Sequence, residues 1–295
     1  MSRIRSDATF LDAEGVTIHY SVWERVQPRG VVQLAHGLGE HRLRYEQLAQ
    51  ALVAAGYSVW ADDHRGHGAT GLAQYGGDHR RLGRLGPGGH RATVEAVRAF
   101  GELARAANPG LPFVLLGHSW GSLIAQLLLN MQPAAYDAVV LSGSALRTLR
   151  DMNSGDLNKR HRALGDPNYE WLSRDAAVIA AAAADPLMFT ASAIKLFGVL
   201  DAMRLLGLPA RELAAQRDVP VLLQVGSDDP FGGERSVAKL AAAYTTRSGF
   251  TDVTAIVYPG ARHEIYNETN RQEVIADLIG WLDGRIPQEP DAPGS

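Results

Sequence analysis

The chain contains no cysteine among its 295 residues. That excludes a disulfide framework, a thiolate metal ligand and a thiol nucleophile, so any nucleophile has to be an oxygen or a nitrogen. It also fits a reducing compartment. Nowhere do about eighteen apolar residues run together, and the N-terminal MSRIRSDATFLDAEG has charges but no apolar stretch. Neither a membrane-spanning helix nor a secretory leader is expected, and a cytoplasmic location follows as the default. Basic residues are in no excess: the formal net charge is −3 and the pI near 6.4, which argues against a nucleic-acid partner. Aromatic residues make up only 7%, but 46% hydrophobic and 21% charged residues are ordinary globular values. At this length the chain is either one large α/β domain or a core carrying an insertion.

Apolar periodicity gives the organisation. Phe10, Val16, Ile18, Tyr20 and Val22 alternate around Glu14-Gly15, as in an antiparallel strand pair. The run from Val31 to Ala35 ends at His36-Gly37-Leu38-Gly39 and is followed by helical spacing at Leu43, Leu48, Leu52 and Val53. A second strand, Tyr57 to Ala61, stops at DDHRGHG, and Thr93 to Ala107 has helical composition closed by Asn108-Pro109-Gly110. Two more buried-type strands, Phe113 to Leu116 and Ala138 to Ser142, bracket a helix at Ser122 to Met131. Later strands are expected at Val219 to Gly226 and Val253 to Tyr258, with a last helix at Gln272 to Leu282. Continuous apolar strands alternating with helices imply a parallel sheet covered on both faces.

Between Ser142 and Val219 this regularity fails. The chain divides into a first core part at 1–146, an inserted helical cap at 147–217, a second core part at 218–284 and a proline-rich tail at 285–295 expected to be disordered. The insert is rich in Ala and Leu and is broken at Asp166-Pro167 and Asp185-Pro186.

The chemistry centres on Gly117-His118-Ser119-Trp120-Gly121. A G-x-S-x-G pentapeptide is weak alone, but here a strand precedes it and a helix follows, the setting that exposes a serine hydroxyl above the sheet edge. A serine hydroxyl needs a base and an orienting acid, and in this architecture they follow in the order Ser, acid, His. Gly226-Ser227-Asp228-Asp229 follows the next-to-last strand and Tyr258-Pro-Gly-Ala-Arg-His263 the last. Asp229 is favoured over Asp228 as the acid, and His263 is the base. Backbone N–H groups of Leu38 and Trp120 are the expected oxyanion donors.

These residues resemble the monoacylglycerol lipase and lysophospholipase-like branch of the α/β-hydrolases, grouped with some serine aminopeptidases. The likeness rests on HGLGEHRLRY at 36–45, DDHRGHG at 62–68, GHSWG at 117–121, GSDD at 226–229 and ARHEIYNE at 261–268, in that order. It implies an α/β-hydrolase fold, a mostly parallel eight-stranded sheet flanked by helices, with a helical cap after the sixth core strand. It also implies the triad Ser119, Asp229 and His263, a serine carboxylic-ester hydrolase acting on a small-molecule ester, and neither metal nor organic cofactor. A thioesterase, amidase, peptidase or acyltransferase would use the same triad, and a non-catalytic receptor on this fold is a further reading. Integral membrane association is not expected, and a monomer or homodimer is.

Trp120 stands where methionine is common in that family, and Arg42 where a small residue is usual. Glu40 and Arg44, at i, i+4 spacing, are expected to hold the oxyanion loop. Arg42, His118 and the basic run starting Lys159-Arg160 are candidates for substrate contact. Arg42 or the run would suit the free carboxylate of a half-ester such as a monoalkyl phthalate, whose hydrolases the sequence also resembles.

Overall fold

In the computed structural model, residues 5–162, 168–190 and 193–287 are described. The expected break at Asp166-Pro167 and the tail beyond residue 287 lie outside the described residues.

Eight strands form one sheet in the order β1-β2-β4-β3-β5-β6-β7-β8. β1 (Arg5–Leu11) and β2 (Thr17–Trp23) are the antiparallel edge pair expected from the alternation around Glu14-Gly15. β2 also runs antiparallel to β4 (Tyr57–Asp62), and from there β3 (Gly30–Ala35), β5 (Phe113–His118), β6 (Ala138–Ser142), β7 (Val221–Gly226) and β8 (Val253–Tyr258) are all parallel. The expected α/β-hydrolase sheet is therefore present.

The largely apolar runs of β3 and β5 follow from burial on both sides, and the one buried amide of β3, Gln33, donates to Val97 O at 2.8 Å. Successive side chains alternate faces, so Val31, Ala35, Phe113 and Leu115 join one core while Val32, Leu34, Val114 and Leu116 join the other. The first core is covered by α3 (Gly89–Ala107), α4 (Trp120–Met131) and α7 (Gly233–Ala243), and the second by α1 (Glu46–Ala54) and α8 (Arg271–Asp283). Two helices escape the apolar periodicity. α2 (Gly68–Gln74) has too few large apolar residues to show a stripe, and α7 shows buried Val237 and Leu240 only once its packing is known.

Between β6 and β7 the described residues include α5 (Ala176–Ala184) and α6 (Ala193–Arg204). The Asp175 carboxylate caps α5 by accepting from Ala177 N–H at 3.0 Å, and α5 ends at Asp185, before Pro186. α6 is interrupted at Gly198, whose φ of 79° and ψ of 169° are not helical. Its Ile194, Val199, Leu200 and Met203 are exposed. Several contacts tie this insert to the loops at the C-terminal ends of the strands: among them, Phe189 N–H donates to Gly39 O at 3.0 Å, His41 Nε2 pairs with Asp185 Oδ2 at 2.8 Å, and Glu264 N–H donates to Leu172 O at 2.7 Å.

Candidate active site

Ser119 occupies the sharp turn between β5 and α4 with φ 52° and ψ −120°, a strained backbone for a residue with a side chain. Its N–H donates to Ser142 O at 2.9 Å, tying the turn to β6, and its carbonyl accepts Ser122 N–H at 2.9 Å and Leu123 N–H at 3.2 Å. The flanking glycines are a steric requirement. A Cβ at Gly117 would stand 2.4 Å from Gly121 O, and one at Gly121 would stand 2.1 Å from Ala35 O. Helix and strand approach closely here only because both positions lack side chains.

His263 and Asp229 come together from the turns after β8 and β7. His263 Nδ1 lies 2.9 Å from Asp229 Oδ1, which also accepts Phe231 N–H at 2.9 Å. Asp228 turns away: its carboxylate pairs with Arg160 at 2.7 Å and lies 3.8 Å from His161 Nε2. The imidazole of His263 is 1% exposed and packs against Trp171 at 4.7 Å and Phe231 at 5.6 Å between ring centroids. Burial pushes its pKa down, but the Asp229 carboxylate and its hydrogen bond, with Glu264 and Glu40 beyond, outweigh that and leave it raised. Among the described residues Nε2 makes no hydrogen bond. It is the ring nitrogen left without a partner, since Nδ1 faces Asp229 Oδ1.

The Gly37 turn passes directly over Ser119. A Cβ on Gly37 would sit 3.1 Å from Ser119 Cβ and 2.6 Å from Glu40 Oε1. Glu40 fixes this turn by accepting Gly37 N–H at 2.5 Å and the Tyr45 hydroxyl at 2.6 Å. The expected Glu40–Arg44 pair is present at 3.5 Å, but the tighter hold on the turn is Glu40 on the Gly37 backbone. Leu38 follows in that turn. Trp120 is the first residue of α4, where a backbone N–H has no acceptor within its own helix. The Trp120 side chain is buried among the rings of His64, His67, His90 and Phe197, at 5.2 to 5.8 Å.

Of the residues expected to contact substrate, Arg42 and His118 are buried. Arg42 is buried and committed: its Nε donates to Ser21 Oγ at 2.7 Å, its Nη1 pairs with the buried Asp63 carboxylate, and its Nη2 lies 3.6 Å from Asp7 Oδ1. Its charge neutralises Asp63 and is not offered to a ligand. His118, at the end of β5, is 2% exposed and packs tilted against the His263 ring at 4.7 Å, with Nδ1 3.1 Å from Ser142 Oγ. It supports the ring of His263 and presents no face to a substrate. Lys159 and Arg160 border a cleft of about 620 Å³ that Asp229 also lines, with Asn153, Ser227 and Arg235. Neither Ser119 nor His263 lines that cleft.

Two further residues of the site lie outside the sequence motifs: Trp171, which packs on the His263 ring, and Phe189, which closes on Gly39. Both come from the insert, and no motif marks them. Glu264 was legible only as the neighbour of His263 in ARHEIYNE. Among the described residues no group of three or more His, Asp or Glu could hold a metal ion, and no helix is long and apolar enough to cross a membrane.

Comparison with known proteins places this arrangement. The chain is 35% identical over 295 residues to the monoacylglycerol lipase of Mycolicibacterium smegmatis, across 96% of this chain and 98% of that protein. It is 28% identical over 289 residues to the human monoglyceride lipase, across 93% of this chain and 89% of that protein. A highly thermostable carboxyl esterase from Bacillus coagulans, solved in complex with glycerol, superimposes with a TM-score of 0.82 at 25% identity, covering 97% of this chain and 100% of that one. Residues 26–270 match the family described as serine aminopeptidase, S33, and the chain belongs to that family, in the monoacylglycerol lipase-like branch of the α/β-hydrolases.

Proposed function

We propose that the protein is a serine carboxylic-ester hydrolase that cleaves neutral monoesters of the monoacylglycerol kind through an acyl-enzyme on Ser119. The observation that carries this is the buried His263–Asp229 pair at 2.9 Å, delivered by the turns after the last two strands to the end of the sheet where Ser119 sits. In this mechanism Ser119 Oγ attacks the ester carbonyl carbon and its proton passes to His263 Nε2. Asp229 holds the Nδ1–H and stabilises the imidazolium. The oxyanion is met by the Leu38 and Trp120 N–H groups. His263 then protonates the departing alcohol, and water repeats the sequence on the acyl carbon.

Residues 147–217 act as the cap. Trp171 over the base, Phe189 on Gly39 and Phe197 on Trp120 give an apolar cover suited to an acyl chain. A half-ester is the poorer fit, because its free carboxylate needs a cation, while Arg42 is spent on Asp63 and Arg160 is paired with Asp228. The same triad would also serve a thioester or an amide. The test is release of fatty acid from a monoacylglycerol by the wild-type protein and by Ser119→Ala. Turnover lost in the variant supports the proposal, and equal turnover in both refutes it. A monoalkyl phthalate hydrolysed with much higher kcat/KM than the monoacylglycerol would overturn the substrate class.

A further inference from the structure

The two loops that must register with Ser119 are joined by a buried bridge. Glu40 Oε1 holds Gly37 N–H at 2.5 Å, and its other oxygen lies 3.5 Å from Arg44 Nε. Arg44 Nη2 reaches across to Glu264 Oε2 at 2.5 Å, and Asn267 Nδ2 donates to the same oxygen at 3.0 Å. Glu264 directly follows His263. The side chains of Arg44, Glu40 and Glu264 are only 8%, 5% and 4% exposed.

Such a bridge is a poor device for stability alone. Desolvation of buried ions offsets much of their attraction, and two carboxylates share one guanidinium. Burial, and then the facing Glu264 charge, raise the pKa of Glu40, the mark of a surplus negative charge in a closed space. What the arrangement does achieve is a rigid span from the backbone of the oxyanion turn to the residue after the base. Gly37 is pinched between Glu40 and Ser119, so movement of Glu40 displaces the turn that carries Leu38.

We propose that Glu40, Arg44 and Glu264 form a positioning clasp, which sets the oxyanion turn against the His263 turn and lends the imidazolium a negative field. The proposal rests on the triad assignment above. Asp229 from the β7 loop, Glu264 on its own turn and Glu40 from the turn after β3 face His263 with negative charge, and Arg44 opposes them. His118 from β5 is neutral because burial, and then the charge of His263, depress its pKa well below the ordinary value. Tyr45, packed on His118 at 6.1 Å, is neutral because burial raises its pKa. Trp171 and Phe231 bring no charge.

A base must be neutral to act, so kcat/KM should rise with pH through an apparent pKa above the ordinary imidazole value of about 6.5. Glu264→Gln keeps the shape and one oxygen for Arg44 but removes the charge. Its acid limb should move to lower pH by roughly 0.5 to 1 unit. Glu40→Leu removes the acceptor for Gly37 and should lose about 100-fold in kcat with KM within about twofold. Glu40→Gln, which can still accept from Gly37 and Tyr45, should recover most of that loss. If Glu40→Leu does not fold, the pH dependence of fluorophosphonate labelling of Ser119 in Glu264→Gln reads the same ionisation without turnover. Wild-type turnover that is lost in Ser119→Ala secures the triad independently. With that in hand, an unshifted acid limb in Glu264→Gln overturns the electrostatic role, and full kcat in Glu40→Leu overturns the positioning role.

Discussion

Replacing Gly121 by alanine should break the link between α4 and the sheet, and with it the placement of Ser119. The added Cβ would stand 2.1 Å from Ala35 O, 2.5 Å from His36 O and 2.6 Å from Ala35 C. Carbon atoms pack at roughly 3.5 to 4.0 Å, so helix and strand must part by on the order of 1 Å. Overpacking typically costs about 1 to 3 kcal/mol. Here the obstacle is strand backbone, which no rotamer change relieves, so the cost should reach about 3 kcal/mol, or a fall in Tm of roughly 5 to 10 °C. A displacement of this size at Ser119 should lower kcat/KM about 100-fold beyond any loss of folded protein. The assay pairs denaturant unfolding with hydrolysis of a short p-nitrophenyl ester, normalised to the folded fraction. Gly280 in α8 provides the control, since a Cβ there meets nothing within 4 Å. Gly280→Ala should gain about 0.5 to 1 kcal/mol from helix propensity and reduced unfolded-state entropy, with no change in activity. A Gly121→Ala protein as stable and as active as the wild type would refute the steric argument.

Other substitutions test separate parts of the account. Asp229→Asn should reduce kcat by about 10³- to 10⁴-fold while Asp228→Asn stays within a few-fold of wild type, and the reverse order would reassign the acid. Arg42→Ala should leave the buried Asp63 carboxylate without its partner and cost about 3 to 5 kcal/mol in urea unfolding, with KM for a neutral monoester unchanged. Unaltered stability would show that Arg42 has another duty. Acidification should destabilise the fold before most carboxylates titrate. Burial lowers His67 to about 3 and His90 to about 4, so both stay neutral when folded but bind protons when unfolded. Their contribution is complete above the unfolded value near 6.5 and is lost as pH falls toward those folded values, at about 1.4 kcal/mol per unit for each ring. Guanidinium titrations at several pH values measure the slope, and a flat profile from pH 6.5 to 4.5 would contradict the neutral, buried state of these rings.

The sheet was legible because β3, β5, β6 and β7 are buried on both faces, so a strand in that position is mostly apolar, and polar exceptions such as Gln33 and Gln224 find hydrogen-bond partners. The carriers of Ser119, Asp229 and His263 were legible for a related reason: turns at strand ends keep their order along the chain. What pairing a side chain finds is a different matter. Arg42 reads as a spare cation in HGLGEHRLRY, yet Ser21 on β2 and Asp63 after β4 take up its donors, and that depends on strands far apart in sequence. The insert hides most completely. In α5 nine residues include seven alanines, which carry no apolar stripe to say which face is covered. Trp171 and Phe189 reach the site through irregular segments around such helices.

The central claim is that Ser119 is the nucleophile, and the most direct measurement of it is peptide mapping by mass spectrometry after reaction with a fluorophosphonate. The account requires one adduct, on the peptide containing Gly117-His118-Ser119-Trp120-Gly121, forming as ester hydrolysis is lost and absent from Ser119→Ala. An adduct on another residue, or full hydrolysis surviving modification of Ser119, would contradict it.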